Sequence, residues 1–146
     1  MKSVVLSLDL INPYKILHDY ENINCDLSKS GGQSVFIGYM RSSSNGNNDI
    51  LSMKLDYYPE MTEKYLLKLR EKAIKSHNLH NVFIVHRVGE VKPKECLVVV
   101  ACWSEHRKEA IAAVKFILED LKHNAPLWKK ELFSNQTSKW VEKNIK

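Results

Sequence analysis

The sequence predicts an α+β domain with a largely antiparallel sheet, and three observations carry that reading. Short runs of alternating or wholly apolar residues recur at 4–10, 33–41, 50–58, 81–87 and 96–103. Two longer stretches, 59–76 and 104–124, repeat their apolar residues at helical spacing. The resulting order β-α-β-β-α-β-β-α puts strands side by side as hairpins at 33–58 and 81–103.

Each element has a local reason. Val4, Leu6, Leu8 and Leu10 alternate with more polar residues, as a half-buried strand does. Asn12-Pro13 is an N-cap followed by a proline at the first helical position, opening a short helix through about Tyr20. A loop from Asn22 ends in Gly31-Gly32. The strand 33–41 carries Gly38 near its centre, which marks a bulge or a close approach to the backbone. Ser42–Asp49 has no apolar residue and contains Asn-Gly, so it is expected to be a mobile hairpin loop of the kind that orders on binding.

The strand 50–58 places Leu51, Met53, Leu55 and Tyr57 on one face. Pro59 opens a helix to about Ser76, packed through Met61, Tyr65, Leu69 and Ala73. Strands 81–87 and 96–103 are joined by a turn around Gly89 and Pro93, and the run CLVVVACW is apolar on both faces, as in a central strand covered twice. Ser104 is the expected N-cap of the last helix, with Glu105 in its first turn. Ala110, Ile111, Val114, Ile117, Leu118 and Leu121 form its stripe, and Pro126 ends it near Asn124. An irregular tail holding Trp128, Phe133 and Trp140 follows. No repeat or domain boundary is visible, so 1–146 reads as one domain, with 1–32 as an N-terminal strand and short helix and 132–146 as a C-terminal tail.

The chain has 44% hydrophobic and 27% charged residues, a soluble globular composition, and no apolar run long enough for a membrane span. Its start, MKSVVLSLDLINP, turns acidic too early for a signal peptide, so cytoplasmic residence is expected. Cys25, Cys96 and Cys102 form no C-x-x-C pair; Cys96 and Cys102 share the parity of one strand face and read as buried thiols. The net charge of +5 fits an anionic ligand or partner.

Known catalytic signatures are missing. The six histidines form no H-x-x-x-H pair with a carboxylate, and neither G-x-S-x-G, G-x-G-x-x-G nor a Walker A loop is present; no metal or cofactor is expected. His86-Arg87 at a strand end reads as structural. What remains is a set of cations: Arg41 at the end of a glycine-containing strand, His106 and Arg107 at a helix start, and Lys122 and Lys129 at and beyond its end. An arginine in a first helical turn opposes the dipole unless it shares an anion with the free amides or pairs with Glu105 or Glu109. Lys122 sits at the edge of the buried stripe, where an amine close to other cations has its pKa lowered and serves in proton transfer. Arg107 and Lys122 are 15 residues apart on one helix, about 22 Å, too far to touch one small molecule. A two-fold dimer that brings Arg107 of one copy near Lys122 of the other resolves this.

These residues also resemble a known family. HRVGEVKPKE at 86–95, SEHRKEA at 104–110 and LKHNAPLWKKE at 121–131 are similar to the large, catalytic subunit of molybdopterin synthase, the MoaE family; so are YYPEMTEK at 57–64 and Lys139-Trp140-Val141-Glu142. The likeness runs from about 33 to 142 and is weak over the first 30 residues. It implies an α/β-hammerhead-like fold. It also implies a sulfurtransferase that converts cyclic pyranopterin monophosphate to molybdopterin, in molybdenum cofactor biosynthesis, by installing two dithiolene sulfurs. The partners it implies are a second copy and a small ubiquitin-like sulfur carrier with a C-terminal Gly-Gly thiocarboxylate, together a heterotetramer. Lys122 falls on the main catalytic position and Lys129 on a second. Tyr39, Met40, Arg41, His106, Arg107, Lys122, Lys129, Lys130 and Glu131 fall on substrate-binding positions, although Gly38-Tyr39-Met40 departs from the family's commoner residues and SSSNGNND lacks its aspartate-histidine pair. The principal alternative is a basic module binding RNA or single-stranded DNA through Tyr57, Tyr58 or exposed tryptophans. A third is a catalytically silent phosphometabolite-binding protein.

Overall fold

In the computed structural model, which describes residues 1–43, 49–133 and 137–141, the chain forms three helices and eight strands. The strands are β1 (Val4–Ser7), β2 (Gly32–Tyr39), β3 (Ile50–Tyr57), β4 (Asn81–Arg87), β5 (Gly89–Val91), β6 (Cys96–Ser104), β7 (Leu127–Phe133) and β8 (Ser138–Val141). The helices are α1 (Pro13–Asn24), α2 (Pro59–His77) and α3 (Arg107–Asn124). None is long and apolar enough to cross a membrane.

Two four-stranded sheets result, in the orders β1-β4-β6-β2 and β5-β3-β7-β8. All pairings are antiparallel except β1 with β4. The hairpin expected at 33–58 does not form as one. Ser43 and Asp49 bridge and Ile50 N–H donates to Ser42 O, but β2 pairs with β6 while β3 pairs with β5 and β7. The chain folds back locally and then changes sheet. Residues 44–48, the centre of the loop expected to close on a ligand, lie outside the described residues.

The first sheet is covered on both faces, as the apolar run of β6 demands. On one face Val82, Ile84, Val100 and Cys102 pack against Leu66, Leu69 and Ala73 of α2 and Ala110, Ala113, Val114 and Ile117 of α3. On the other, Phe83, Val85, Val99, Ala101 and Trp103 receive α1, whose buried Tyr20 stacks on Phe83 at 4.0 Å. The Trp103 indole N–H donates to Glu21 at 3.0 Å. Cys96 lies on this second face and Cys102 on the first. A bulge at Gly38/Tyr39, opposite Cys96, flips the parity that simple alternation assigns to the two thiols. Burial raises both thiols, Cys102 to about 12, so both stay protonated.

Other boundaries move for equally local reasons. Asn12 caps α1 by accepting from the Lys15 amide, as its sequence signature requires, but the helix continues to Asn24. β1 stops at Ser7, leaving Leu8 and Leu10 exposed. The register slip between Ile50 and Ser52 turns Leu51 outward and Ile50 inward. Met61 is exposed, and Thr62, Leu66, Leu69 and Ala73 are the buried face of α2. Ser104 ends β6 rather than capping α3: its hydroxyl donates to the His106 carbonyl, and His106 is the N-cap, with no side-chain cap bond. Ile111 lies outside the buried stripe of α3 at 58% exposure. The supposedly irregular tail is the β7–β8 hairpin of the second sheet.

Candidate functional site

Strand direction decides which cations can meet. Gly32 starts β2 against the start of α3: a Cβ there would stand 3.0 Å from Arg107 Cα, and one at Gly31 would stand 2.1 Å from the Glu105 carbonyl oxygen. Glycine is what allows this approach. His106 and Arg107 therefore sit at the Gly32 end of the first sheet, both exposed. The His106 imidazole lies 3.7 Å from Glu105, and among the described residues Arg107 has no carboxylate within 4 Å. The pairing of Arg107 with Glu105 or Glu109 that the sequence allowed is not made.

Arg41 lies beyond the opposite end of β2, nine residues from Gly32 and about 30 Å away along an extended strand. The Met40 side chain belongs to the small core of Ile50, Met53, Leu55 and Val91. Its N–H donates to Glu95 O and its carbonyl accepts from Lys94 N. Met40 thus anchors the backbone that presents the exposed Arg41. Tyr39 is 48% exposed, with Tyr14 beside it. Behind them, buried Arg87 lies 3.7 Å from Glu95 and donates to Glu90 O.

At this same end α3 finishes and β7 begins. In β7, Lys129 pairs with Leu55 and Glu131 with Met53, so both side chains share the inward face of the second sheet. Glu131 is buried and Lys129 half-buried. Burial is the main cause that pushes the Lys129 amine below its ordinary 10.5; the Lys122 charge pushes the same way, and Glu131 opposes both. Lys129, the second of the two lysines singled out from sequence, is thus an amine held below its ordinary range. Lys130 points to the other face of β7 and lies 5.4 Å over the Trp140 ring. It is not brought together with Lys129.

His86, read from sequence as structural, belongs to this cluster. Its Nδ1 lies 2.7 Å from the Arg87 carbonyl; a carbonyl only accepts, so Nδ1 carries the proton and Nε2 is left as an acceptor. Burial first, and the Lys129 charge as well, push the imidazole down to about 4. The signal available in sequence was its place at the end of a buried strand beside Arg87.

A testable consequence follows. A histidine with a lowered folded pKa contributes stability that is fully present above about 6.5 and is lost as pH falls toward about 4. Urea unfolding is expected to show up to about 3 kcal/mol of acid destabilisation across that window, absent in His86→Gln.

Two open grooves lie elsewhere. One of about 970 Å³ runs along the start of α2, lined by Tyr58, Pro59, Met61, Lys64, Tyr65 and Lys68. The other, about 420 Å³, is lined by Asp56, Tyr57, Tyr58, Trp128 and Trp140, with Tyr58 edge-on to Trp128 at 5.4 Å. Neither includes His106, Arg107, Lys122 or Lys129.

In class, this is a two-sheet α+β protein that carries cations at both ends of one helix, with a depressed amine at the second end. The MoaE protein family model matches residues 12–124, and the chain belongs to that family. The match begins well before residue 33, where the sequence resemblance became strong, and stops short of Lys129. The chain is 39% identical over 115 residues to the molybdopterin synthase catalytic subunit of Ralstonia nicotianae, an alignment that takes in 79% of this chain and 64% of that protein, under two thirds of its length. It is 35% identical over 129 residues to the subunit of the same name from Vibrio cholerae, covering 88% of this chain and 84% of the relative. A solved structure of molybdopterin synthase from Staphylococcus aureus superposes with a TM-score of 0.86 at 27% identity, over 97% of this chain and 98% of that one.

Proposed function

We propose that the chain is the catalytic subunit of a molybdopterin synthase: a sulfurtransferase that converts cyclic pyranopterin monophosphate to molybdopterin with sulfur from a thiocarboxylated, ubiquitin-like carrier. The observation that carries this reading is the Lys122–Lys129 pair, in which burial and a neighbouring cation depress an amine at the end of the fold that also holds Arg41. An amine so placed is neutral over more of the pH range and accepts protons readily.

The roles follow from residue chemistry. Opening the cyclic phosphate builds negative charge, which Arg107, His106 and the free amides at the start of α3 stabilise. Attack of the thiocarboxylate sulfur on the pterin side chain, loss of water, and hydrolysis of the resulting thioester, which breaks the acyl C–S bond and frees the carrier as its carboxylate, require proton transfers, assigned to Lys122 and Lys129. Glu131 stabilises the charged form of Lys129 against the cost of burial. Arg41, at the mouth, attracts the carrier's anionic C-terminus, and Tyr39 and Met40 set its position. Lys130, stacked on Trp140, serves the approach of the carrier on the outer face. Because Arg107 and Lys122 sit at opposite ends of α3, two copies of the chain complete each site. The nucleic-acid alternative has stacking candidates in Tyr58, Trp128 and Trp140, but none of the relatives named above points to it.

The test is reconstitution. Purified chain, thiocarboxylated carrier and cyclic pyranopterin monophosphate should yield molybdopterin, read as its fluorescent oxidation product. No product, together with salt-sensitive retention on a polynucleotide column, would favour the alternative.

A further inference from the structure

Two costs fall on one short turn. Between β5 and β6, residues 92–95 fold back with the Glu95 N–H donating to Lys92 O at 3.2 Å. Within the turn Lys94 has φ 76°, a left-handed backbone that glycine adopts freely and a residue with a side chain does not. Among the described residues the other such non-glycine is Asn78, at the C-cap of α2, where left-handed backbone is ordinary for that residue type. Lys94 caps no helix. Beneath the turn lies the second cost. Arg87 is 4% exposed, and its Nε and Nη1 make no hydrogen bond among the described residues. Backbone strain and unmatched buried donors gather where a protein has a use for them.

The use is visible in charge. Glu95, the turn's one carboxylate, is drawn inward: its Oε1 accepts from the Lys92 N–H at 2.8 Å and lies 3.7 Å from Arg87 Nη1. What faces solvent is cationic, because Lys92 and Lys94 are exposed. Met40 is bonded to the turn on both sides, its N–H donating to Glu95 O at 3.0 Å and its carbonyl accepting from the Lys94 N–H at 2.9 Å. These bonds set Lys94 beside the peptide that carries exposed Arg41. None of Arg41, Lys92 and Lys94 has a carboxylate within 4 Å among the described residues. Like charges held together without counterions repel one another, and an arriving anion relieves them.

We propose that Lys94, with Lys92 beside it, binds the anionic C-terminal tail of the sulfur carrier, as a cationic rim next to Arg41 that steers the tail into the site. This rests on the carrier assigned above and adds two residues to its path. Buried Arg87 keeps the rim positive by holding the Glu95 carboxylate away from it. Glycine at position 94 would suit the backbone better, whereas the tail calls for a cation. Fold and charge thus make opposite demands on one residue, and substitution separates them.

The measurement is stopped-flow association of the thiocarboxylated carrier with the full chain, alongside melting temperature. Lys94→Gly should slow association about two- to fivefold at about 50 mM salt, the size of one exposed ion pair. The difference should vanish near 0.5 M salt, where screening acts within about 4 Å. The same variant should melt about 2 °C higher, because the left-handed backbone is relaxed. Lys94→Ala should associate as slowly with no gain in melting temperature, and Lys94→Arg should restore the rate. In steady state the KM for the carrier should rise while kcat and the KM for cyclic pyranopterin monophosphate hold. Equal association rates for Lys94→Gly and the unaltered chain at low salt would overturn the inference. So would a KM change confined to the cyclic phosphate, a lower melting temperature for Lys94→Gly, or an unaltered chain that binds no carrier. Slower association in the variants of a chain that makes no molybdopterin would leave the rim standing and remove the proposed activity.

Discussion

Lys122→Ala is expected to lower dithiolene formation by about 10²–10⁴-fold, the range general acid–base groups contribute, while dimer and carrier binding survive. The single-turnover rate with saturating carrier is the measurement. Retained activity would remove Lys122 from the mechanism. The same variant carries a second readout. The Lys122 charge helps to depress Lys129, so removing it relieves repulsion and must move the Lys129 titration upward, toward 10.5. Isotope-edited lysine NMR would follow that shift directly. Where activity depends on neutral Lys129, the rate rises with pH, and its midpoint in the unaltered chain lies below the ordinary lysine value.

Arg107→Ala is expected to cost about 10²–10³-fold in kcat/KM, the effect of removing one donor aimed at developing charge. The guanidinium is exposed and pairs with no carboxylate among the described residues, so the fold should be unaffected. A loss confined to stability, with kcat/KM per folded molecule unchanged, would assign Arg107 to the surface alone.

Much of the fold was legible because its causes are local. Asn12-Pro13 starts a helix by capping and a preset φ, and CLVVVACW reads as buried because no polar side chain interrupts it. The misreadings arose where a partner or a functional residue overrides local pattern. β2 and β3 look like a hairpin, but their partners lie between 34 (Leu55 with Gly89) and 83 (Ile50 with Phe133) residues away in the sequence. LWKKELF did not read as a strand because its inward positions carry Lys129 and Glu131, and apolar alternation fails where the candidate site is built. The parity of Cys96 was lost to a bulge that sequence spacing does not record. For the candidate site, residue types at helix ends were enough to single out Arg107 and Lys122 as candidates. His86 and the depression of Lys129 were hidden because both depend on two sheets meeting.

The account turns on sites shared between copies, and subunit mixing tests this most directly. Arg107→Ala and Lys122→Ala chains, each nearly inactive, are unfolded and refolded together. If each site draws Arg107 from one copy and Lys122 from the other, every mixed dimer holds one intact site and one doubly altered site, and the mixture recovers about one quarter of full activity. If both residues act within a single copy, no intact site can form, and activity that stays at the level of the separate variants would contradict the account.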